Sequence, residues 1–510
     1  MTGHHPSIHA QRAPDKPAYI MADTGETVTY RELDERSNQA AHLLRGAGLK
    51  RGDALVIFAE NHARFFELAW GAQRAGLYYI PVSWHLTASE ILYIINDAGA
   101  KLFVASDRFA DTAARVAHEL SPSVSRFSLG TGIEGFTSYE AVRDQQPVSP
   151  ITDESAGQDM MYTSGTTGHP KGVKKPLPEG PIHEVDPIAM MFLAEGYNTE
   201  AVTLSPGPLY HASPLHNSMY THRFGGTGIV IDKFDAETML QLIERYGIKQ
   251  MNCVPTHFVR LLKLPQDVRD SYDVSTVELV LHTAAPCPVE VKHRLIDWLG
   301  PVVLEYYGGT EGIGGAMIRS EEWLAHPGSI GKSVSGGVHV VDEDNWQELP
   351  VGETGVIYFE HAAAFEYHND SEKTKSVSSP QGWMTLGDIG HVDAEGYIYL
   401  TDRKANMIIS GGVNIYPQES ENRLITHPRV VDAAVFGIPH PDFGEEVKAV
   451  VQLAEGESAS QDLESDLIAY CKEVLSPLKC PRSIDFRAEL PRKENGKLYK
   501  RLLKDEYLQG

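Results

Sequence analysis

Positive charge is what this chain is short of. Lysine and arginine total 45 against 69 aspartates and glutamates, a formal charge of −24. That balance argues against a nucleic-acid-binding surface, which usually needs a basic face. It does not exclude anionic small molecules, because a local lysine and oriented backbone N–H groups override net charge where they converge. Cysteine is scarce too: Cys253, Cys287, Cys471 and Cys480 are scattered, with no CxxC pair. They read as reduced thiols of a cytosolic protein. No apolar run approaches 18 residues, so no membrane span is expected. The opening stretch, MTGHHPSIHAQRAPDKPAY, has no apolar core of the kind a signal peptide needs, and a cytoplasmic protein is expected. Its His4, His5 and His9 are expected on a frayed polar terminus rather than around a metal. No tandem repeat or long low-complexity segment is visible. What remains is an ordinary soluble composition, 42% hydrophobic over 510 residues, long enough for two to four domains.

The stretch that organises the rest is 162–172, YTSGTTGHPKG. Tyr162 ends an apolar approach through Met160 and Met161. Thr163, Ser164, Gly165, Thr166, Thr167 and Gly168 follow, and Lys171 and Gly172 come after Pro170. The glycines let backbone N–H groups turn toward one point. The hydroxyls add donors that reorient freely, and the lysine adds charge. Such a loop cradles a polyphosphate; a flexible surface linker is the plainer alternative. It is not a Walker A loop, because Gly172 stands where a hydroxyl should follow the lysine. The string resembles the [ST]-S-G-[ST]-T-G-x-P-K-G signature of the adenylate-forming superfamily, whose members include acyl-CoA synthetases, firefly-type luciferases and nonribosomal peptide adenylation domains.

Earlier in the chain, helix and strand signals alternate. Thr29 with Glu32 and Thr87 with Glu90 are capping boxes. ALVIFA (54–59) and KLFVAS (101–106) are strand-like runs. This rhythm predicts a largely parallel sheet faced by helices, with ligands at the carboxyl ends of its strands. Further on, LYHASPLHN (209–217) and the residues after it carry His211, His216 and His222, without the close Cys or carboxylate that would complete a metal site. Asp235 is placed to cap the helix AETMLQLIERYG, and VELVLHTAAPCP (277–288) reads as a buried strand ending in small residues that let a flat ligand approach.

In VVLEYYGGTEG (302–312) a strand delivers aromatics, glycines, a hydroxyl and a carboxylate. The hydroxyl suits phosphate and the carboxylate a hard divalent cation; a Gly-rich turn with a solvated glutamate is the plainer reading. The string resembles the superfamily's Y-G-x-T-E motif. By that resemblance Tyr307 stacks on adenine beside Gly308, Thr310 touches the α-phosphate, and Glu311 holds Mg²⁺. The resemblance also sets Ala284, Ala285 and Pro286 against adenine, with the usual first glycine of that block replaced. It sets His211 at the mouth of an acyl pocket that Gly309 also lines.

GWMTLGDIGHVDAEGYIYLTDRKANMIISGGVNIYPQESE (382–421) carries Asp388, a natural acceptor for two ribose hydroxyls, and the planar fork of Arg403 for ribose or phosphate oxygens. Its turn residues and alternating tyrosines predict a hairpin. It resembles the superfamily's D-R-x-K-x-x-I-x-x-G-G block. The resemblance makes Asp402 the hinge between a large and a small domain, and Gly411 and Gly412 the backbone that pantetheine passes. Ser420 stands where the superfamily often has an aliphatic residue, and only a packing effect is expected. The last hundred residues read as an α+β module ending in ELPRKENGKLYKR, whose Asn495-Gly496 turn presents Lys497. That segment resembles the superfamily's P-[RK]-x-x-x-G-K motif, which makes Lys497 the bridge between carboxylate substrate and α-phosphate.

The resemblance covers about 15–505 with its motif blocks in order. It implies an α/β fold: a large multi-subdomain N-terminal AMP-binding domain (1–401), of parallel sheets with helices plus a β-barrel-like part, and a small, mobile α+β C-terminal domain (402–510). It implies an acid–CoA ligase that uses ATP, Mg²⁺ and CoA. The expected acid is fatty, aryl or steroid-side-chain rather than acetate. Three rivals stay open: a free-standing adenylation enzyme loading a carrier protein, luciferase-type oxygenation on the same fold, and a nucleotide-binding sensor without turnover. Oligomeric state is unread, a homo-oligomer included.

Overall fold

The computed structural model describes residues 4–163, 170–184, 187–361, 363–492 and 498–509. The alternating apolar runs and capped helices resolve into two large sheets. One has six strands, all parallel, in the order Thr137–Ser138, Ser125–Leu129, Leu102–Ser106, Ala54–Phe58, Tyr78–Pro81, Gln158–Asp159. Ala54–Phe58 is buried at every position, as a strand covered on both faces must be. The other has nine strands. Val303–Tyr307, Leu279–His282, Gln250–Cys253, Val202–Ser205, Thr227–Val230 and Pro17–Met21 run parallel, with short antiparallel strands at both edges. Both expected capping boxes form, and Asp235 accepts from the Thr238 amide at 2.8 Å.

One apolar core joins the two sheets. The helix Phe65–Arg74 drives Phe65, Phe66 and Trp70 into a cluster with Tyr19, Leu55, Leu215 and Val230. Truncating Trp70 to alanine there would cost about 3–5 kcal/mol.

The amino terminus differs from expectation. His5 and His9 are buried, and Pro6–Arg12 is a helix that docks on the large domain. Ile8 is apolar and buried, and the His9 imidazole donates from Nε2 to the Arg223 carbonyl at 2.9 Å. Two ring systems that also hydrogen-bond give this short segment enough buried surface to stay down.

The barrel-like part is also corrected. The strands Gln347–Glu348, Val338–Asp342, Gly355–Phe359, Asp388–Val392 and Ile398–Arg403 form an open antiparallel sheet, and among the described residues no sheet closes. The Gln347–Glu348 edge is two residues long and exposed, too short to pair across a barrel seam. Glu366–Tyr367, Lys171–Lys174 and Met161–Thr163 form a separate three-stranded sheet.

The small carboxyl-terminal module is α+β, as expected. Val430–His440 and Gly444–Leu453 pair antiparallel, and Ser483–Arg487 adds in parallel. The helices Pro417–Ile425 and Gln461–Lys472 contribute Leu424, Leu463 and Leu467 to its core. Ser420 is fully buried and donates to the Lys479 carbonyl at 2.5 Å, so its role exceeds packing. All four cysteines are free. Among the described residues no helix is long and apolar enough to cross a membrane.

Candidate active site

Leu279–His282 and Val303–Tyr307 run side by side in parallel, with His282 opposite Glu305. Their carboxyl ends bring 283–286 and 308–311 to one edge of the sheet, where open sheets of this kind take ligands. The backbone there is under strain. Ala284 has φ 76°, a left-handed conformation that an alanine resists and a glycine accepts. Such outliers persist where the surroundings over-determine them, often at ligand clamps. Gly308 and Gly309 have no room for a side chain. A Cβ on Gly308 would lie 2.7 Å from the Tyr306 hydroxyl, and one on Gly309 would lie 2.7 Å from Glu311 Oε2.

A buried charge network lies beneath these ends. Lys292 Nζ donates to Glu305 Oε2 at 2.6 Å, and both side chains are sealed from water. His282 Nε2 stands 3.6 Å from the same oxygen. Burial pushes the Glu305 carboxyl up, and Lys292 opposes that. Burial and then the lysine push the His282 imidazole far down, so it is neutral.

Two polar pairs stand at the strand ends, and a third is tied to the second through the chain between Tyr367 and Asp370. Asp388 and Arg403 face each other across an antiparallel pair, and Arg403 Nε lies 3.2 Å from Asp388 Oδ1. Tyr307 Oη donates to Asp388 Oδ2 at 2.6 Å. The carboxylate holds the Arg403 guanidinium up, whereas burial and then Asp388 push the Tyr307 hydroxyl up. In the second pair Tyr367 Oη donates to Glu311 Oε1 at 2.8 Å, while the Thr310 hydroxyl makes a longer 3.4 Å contact with Oε2. In the third, Lys171 Nζ reaches Asp370 Oδ2 at 2.7 Å; each raises or lowers the other toward its charged form. Thr163 and Lys171 are paired residues of one antiparallel ladder, so the two described ends of the loop between them stand together.

These contacts bring together most of the residues that the sequence singled out. Thr163, Lys171, Ala284, Ala285, Pro286, Tyr307, Gly308, Gly309, Thr310, Glu311, Asp388 and Arg403 belong to this edge or to the strands tied to it. His211 follows the carboxyl end of the parallel strand Val202–Ser205 and starts the helix Ala212–Phe224. The other two histidines of that stretch part from it. His216 pairs with Asp159 at 3.0 Å, and His222 packs edge-on against Phe66 in the core, where burial lowers its pKa to about 3. Gly411 and Gly412 form the tip of a hairpin on the small domain's sheet, with φ 58° and 80°. Ser164, Gly165, Thr166, Thr167, Gly168 and Lys497 lie outside the described residues.

Four partners were not legible from sequence: Tyr367, Asp370, Lys292 and Asp159. Each pairs with a residue distant in the chain, and none sits in a motif. Only the lysine inside the otherwise amphipathic Val289–Leu299 helix gave a local hint, by falling on its buried face.

Comparison with known proteins decides the family. The pattern of AMP-binding enzymes matches residues 7–366, and that of their C-terminal domain matches 419–497. The chain belongs to the AMP-binding enzyme family. It is similar to a feruloyl-CoA synthase of an Amycolatopsis species, 31% identical over 98% of this chain and 97% of that one. It is similar to a long-chain-fatty-acid–CoA ligase of Mycobacterium tuberculosis, 29% identical over 98% and 97%. Among solved structures, ATP-bound MatB from Rhodopseudomonas palustris is 28% identical and superposes with a TM-score of 0.81 over 99% of both chains. This AMP-binding enzyme thus has the adenylate-forming fold throughout.

The donor set also fits a magnesium ion shared with a nucleotide. Among the described residues no three His, Cys, Asp or Glu side chains gather as an all-protein metal cage. Glu311 and the Thr310 hydroxyl offer hard oxygens, and the glycine at 309 spares Glu311 Oε2 the 2.7 Å clash that a Cβ would make. Magnesium is commonly held this way, by one or two carboxylates plus substrate phosphates.

Proposed function

We propose that this enzyme activates a carboxylic acid with ATP and passes the acyl group to CoA. The observation that carries the proposal is the Tyr307–Asp388–Arg403 cluster standing at the same strand ends as Thr310 and Glu311. It combines a diol acceptor, a planar cation and a phosphate-and-metal edge, the parts a nucleoside triphosphate needs.

The chemistry follows from charge. A carboxylate is a poor electrophile, because its leaving group would be oxide. Its oxygen attacks the α-phosphorus of ATP, the bond to the β-phosphate bridging oxygen breaks, and pyrophosphate leaves. Two anions must meet, so preorganised cations and donors lower the barrier. Thr310 is the donor to the α-phosphate, Arg403 and Lys171 neutralise phosphate oxygens, and Asp388 accepts from the ribose. Glu311 would hold Mg²⁺, which when bound supplies charge neutralisation on the phosphates. The loop residues 164–168 and Lys497 take the roles that the family resemblance gives them.

The thiol of CoA then attacks the acyl carbonyl and AMP departs. We take 1–401 as the large domain and 402–510 as the small one, with a rotation at Asp402 separating the two half-reactions. Support comes from the Asp402 carboxylate, which accepts from the Asn406 side chain at 3.0 Å and the Gln418 amide at 2.9 Å, bridging the last strand before the boundary and the first helix after it. Gly411 and Gly412 form the backbone that pantetheine passes. The acid is fatty, aryl or steroid-side-chain: the relatives named above are a long-chain-fatty-acid–CoA ligase and a feruloyl-CoA synthase.

Pyrophosphate release from ATP–Mg²⁺ across a panel of acids, with and without CoA, tests this. Release that requires an aryl or long-chain acid, with thioester formed only when CoA is present, is expected. Saturation by acetate alone overturns the substrate class; release without thioester points to a carrier-protein acceptor; no release overturns the reaction.

A further inference from the structure

The turn after Glu366–Tyr367 reaches two separate charges of the ATP site. Tyr367 is buried, and its hydroxyl donates to Glu311. Three residues on, Asp370 grips Lys171. The spacing is fixed from both sides. Tyr367 pairs with Val173 on the strand that Lys171 begins, its amide donates to the Thr374 hydroxyl at 2.9 Å, and the Asp370 carboxylate caps the helix Ser371–Ser376 by accepting from the Lys373 amide at 2.9 Å. A short rigid turn thus holds a carboxylate at one point and a lysine at the other.

We propose that the Tyr367–Asp370 turn is a positioning element that sets affinity for the ATP triphosphate and its metal. This rests on the reading that the site binds ATP–Mg²⁺. Tyr367 occupies one oxygen of Glu311, so the carboxylate cannot swing, and its other oxygen stays against the side-chain-free backbone of Gly309, where it meets the Thr310 hydroxyl at 3.4 Å. Asp370 neutralises Lys171 until a more highly charged anion displaces it. A triphosphate does so and AMP does not, because AMP lacks the β- and γ-phosphates. The turn therefore favours exchange: it weakens triphosphate binding by competition while keeping the lysine in place.

Equilibrium binding of a non-hydrolysable ATP analogue, of Mn²⁺ in its presence, and of AMP separates the parts. In Tyr367→Phe the Glu311 oxygen loses a charge-assisted hydrogen bond, and Mn²⁺ affinity in the analogue complex is expected to fall about tenfold. In Asp370→Asn the competitor for Lys171 is gone, and analogue affinity is expected to rise about fivefold at low salt, shrinking toward unity near 1 M salt as screening removes the difference. AMP affinity and the melting temperature stay near wild type in both. Asp370→Glu, which keeps the charge, restores wild-type affinity. Variants that bind Mn²⁺ and analogue as wild type does overturn the inference, and so does a matching loss of AMP affinity, which would mark a structural role. A wild type that binds no analogue overturns the ATP reading itself.

Discussion

Beneath the ends of Leu279–His282 and Val303–Tyr307, Glu305, Lys292 and His282 are all buried, whereas above them buried Asp388 is paired with a half-exposed Arg403, and Lys171 and Asp370 are both partly open. Both layers are made of opposite charges at hydrogen-bond distance. They differ in what can replace a partner. Burial keeps solvent from competing for the lower layer, so its pairing persists and fixes the two strand ends to each other. The upper layer holds its charges in pairs that each have one member in reach of solvent, and so of a competing anion. The site is built by setting exchangeable pairs on a platform whose pairs cannot exchange.

The most forceful way to break that contrast is to remove one member of the sealed layer. Lys292→Met leaves Glu305 buried without a cation, and such a loss costs about 3–5 kcal/mol. The double variant Lys292→Met/Glu305→Leu should recover most of that in chemical denaturation, since well-packed apolar residues often replace a buried pair without loss. If the single variant unfolds like wild type, the lower layer is not a platform.

In the open layer the effect should fall on nucleotide use rather than on folding. Asp388→Asn removes the charge that holds Tyr307 and Arg403. Hydrogen bonds to charged groups contribute about 1.5–3 kcal/mol, so pyrophosphate release per unit ATP should fall on the order of 10–100-fold. The melting temperature should move little. A large drop in melting temperature with unchanged activity would reverse the assignment of layers.

Asp159 and His216 sharpen the comparison, because they lie between the two extremes: the carboxylate is buried and the imidazole partly open. Burial alone would raise Asp159; the His216 pair outweighs it and brings its pKa down to about 2 from 3.8. A depressed carboxyl stabilises the fold above its unfolded pKa, and that share is lost as pH falls through the folded value. The window is therefore about pH 4 to 2, and its size roughly 2 kcal/mol. In His216→Ala the buried carboxyl has lost its partner, so acidification over the same window should no longer cost this increment. Identical acid denaturation in the two proteins would remove the pair from the account.

The fold was largely legible because its signals are local. Thr29 with Glu32, Thr87 with Glu90 and the apolar run of Ala54–Phe58 each carry their structural meaning within a few residues. The candidate site was legible where a strand end and the polar residues gathered there share one string, as in Tyr307 to Glu311. It was not legible where the arrangement depends on pairing between separate elements: Lys292 to Glu305, Asp159 to His216, and Tyr367 to Glu311 join segments that no periodicity connects. The amino terminus was misread for a related reason. Its histidines look solvated in a polar string, and only the groove around Trp70 and Arg223 gives them a buried place.

The smallest effect concerns the strained backbone at Ala284, just past the end of Leu279–His282. A non-glycine residue held left-handed costs about 1–2 kcal/mol, while a glycine adds roughly 0.5–1 kcal/mol of chain entropy to be lost on folding. Ala284→Gly should therefore raise stability slightly, by about 0.5 kcal/mol, in a denaturant melt. The strained form is also a preorganised one, because alanine leaves the loop fewer alternatives once the strand ends fix it. If residues 283–286 meet adenine, the glycine variant should bind AMP about two- to threefold more weakly despite being more stable, since ordering the freer loop is then charged to binding. Stability and affinity moving in opposite directions would tie the strain to the ligand. Stability and affinity rising together would make Ala284 a steric compromise with no part in nucleotide recognition.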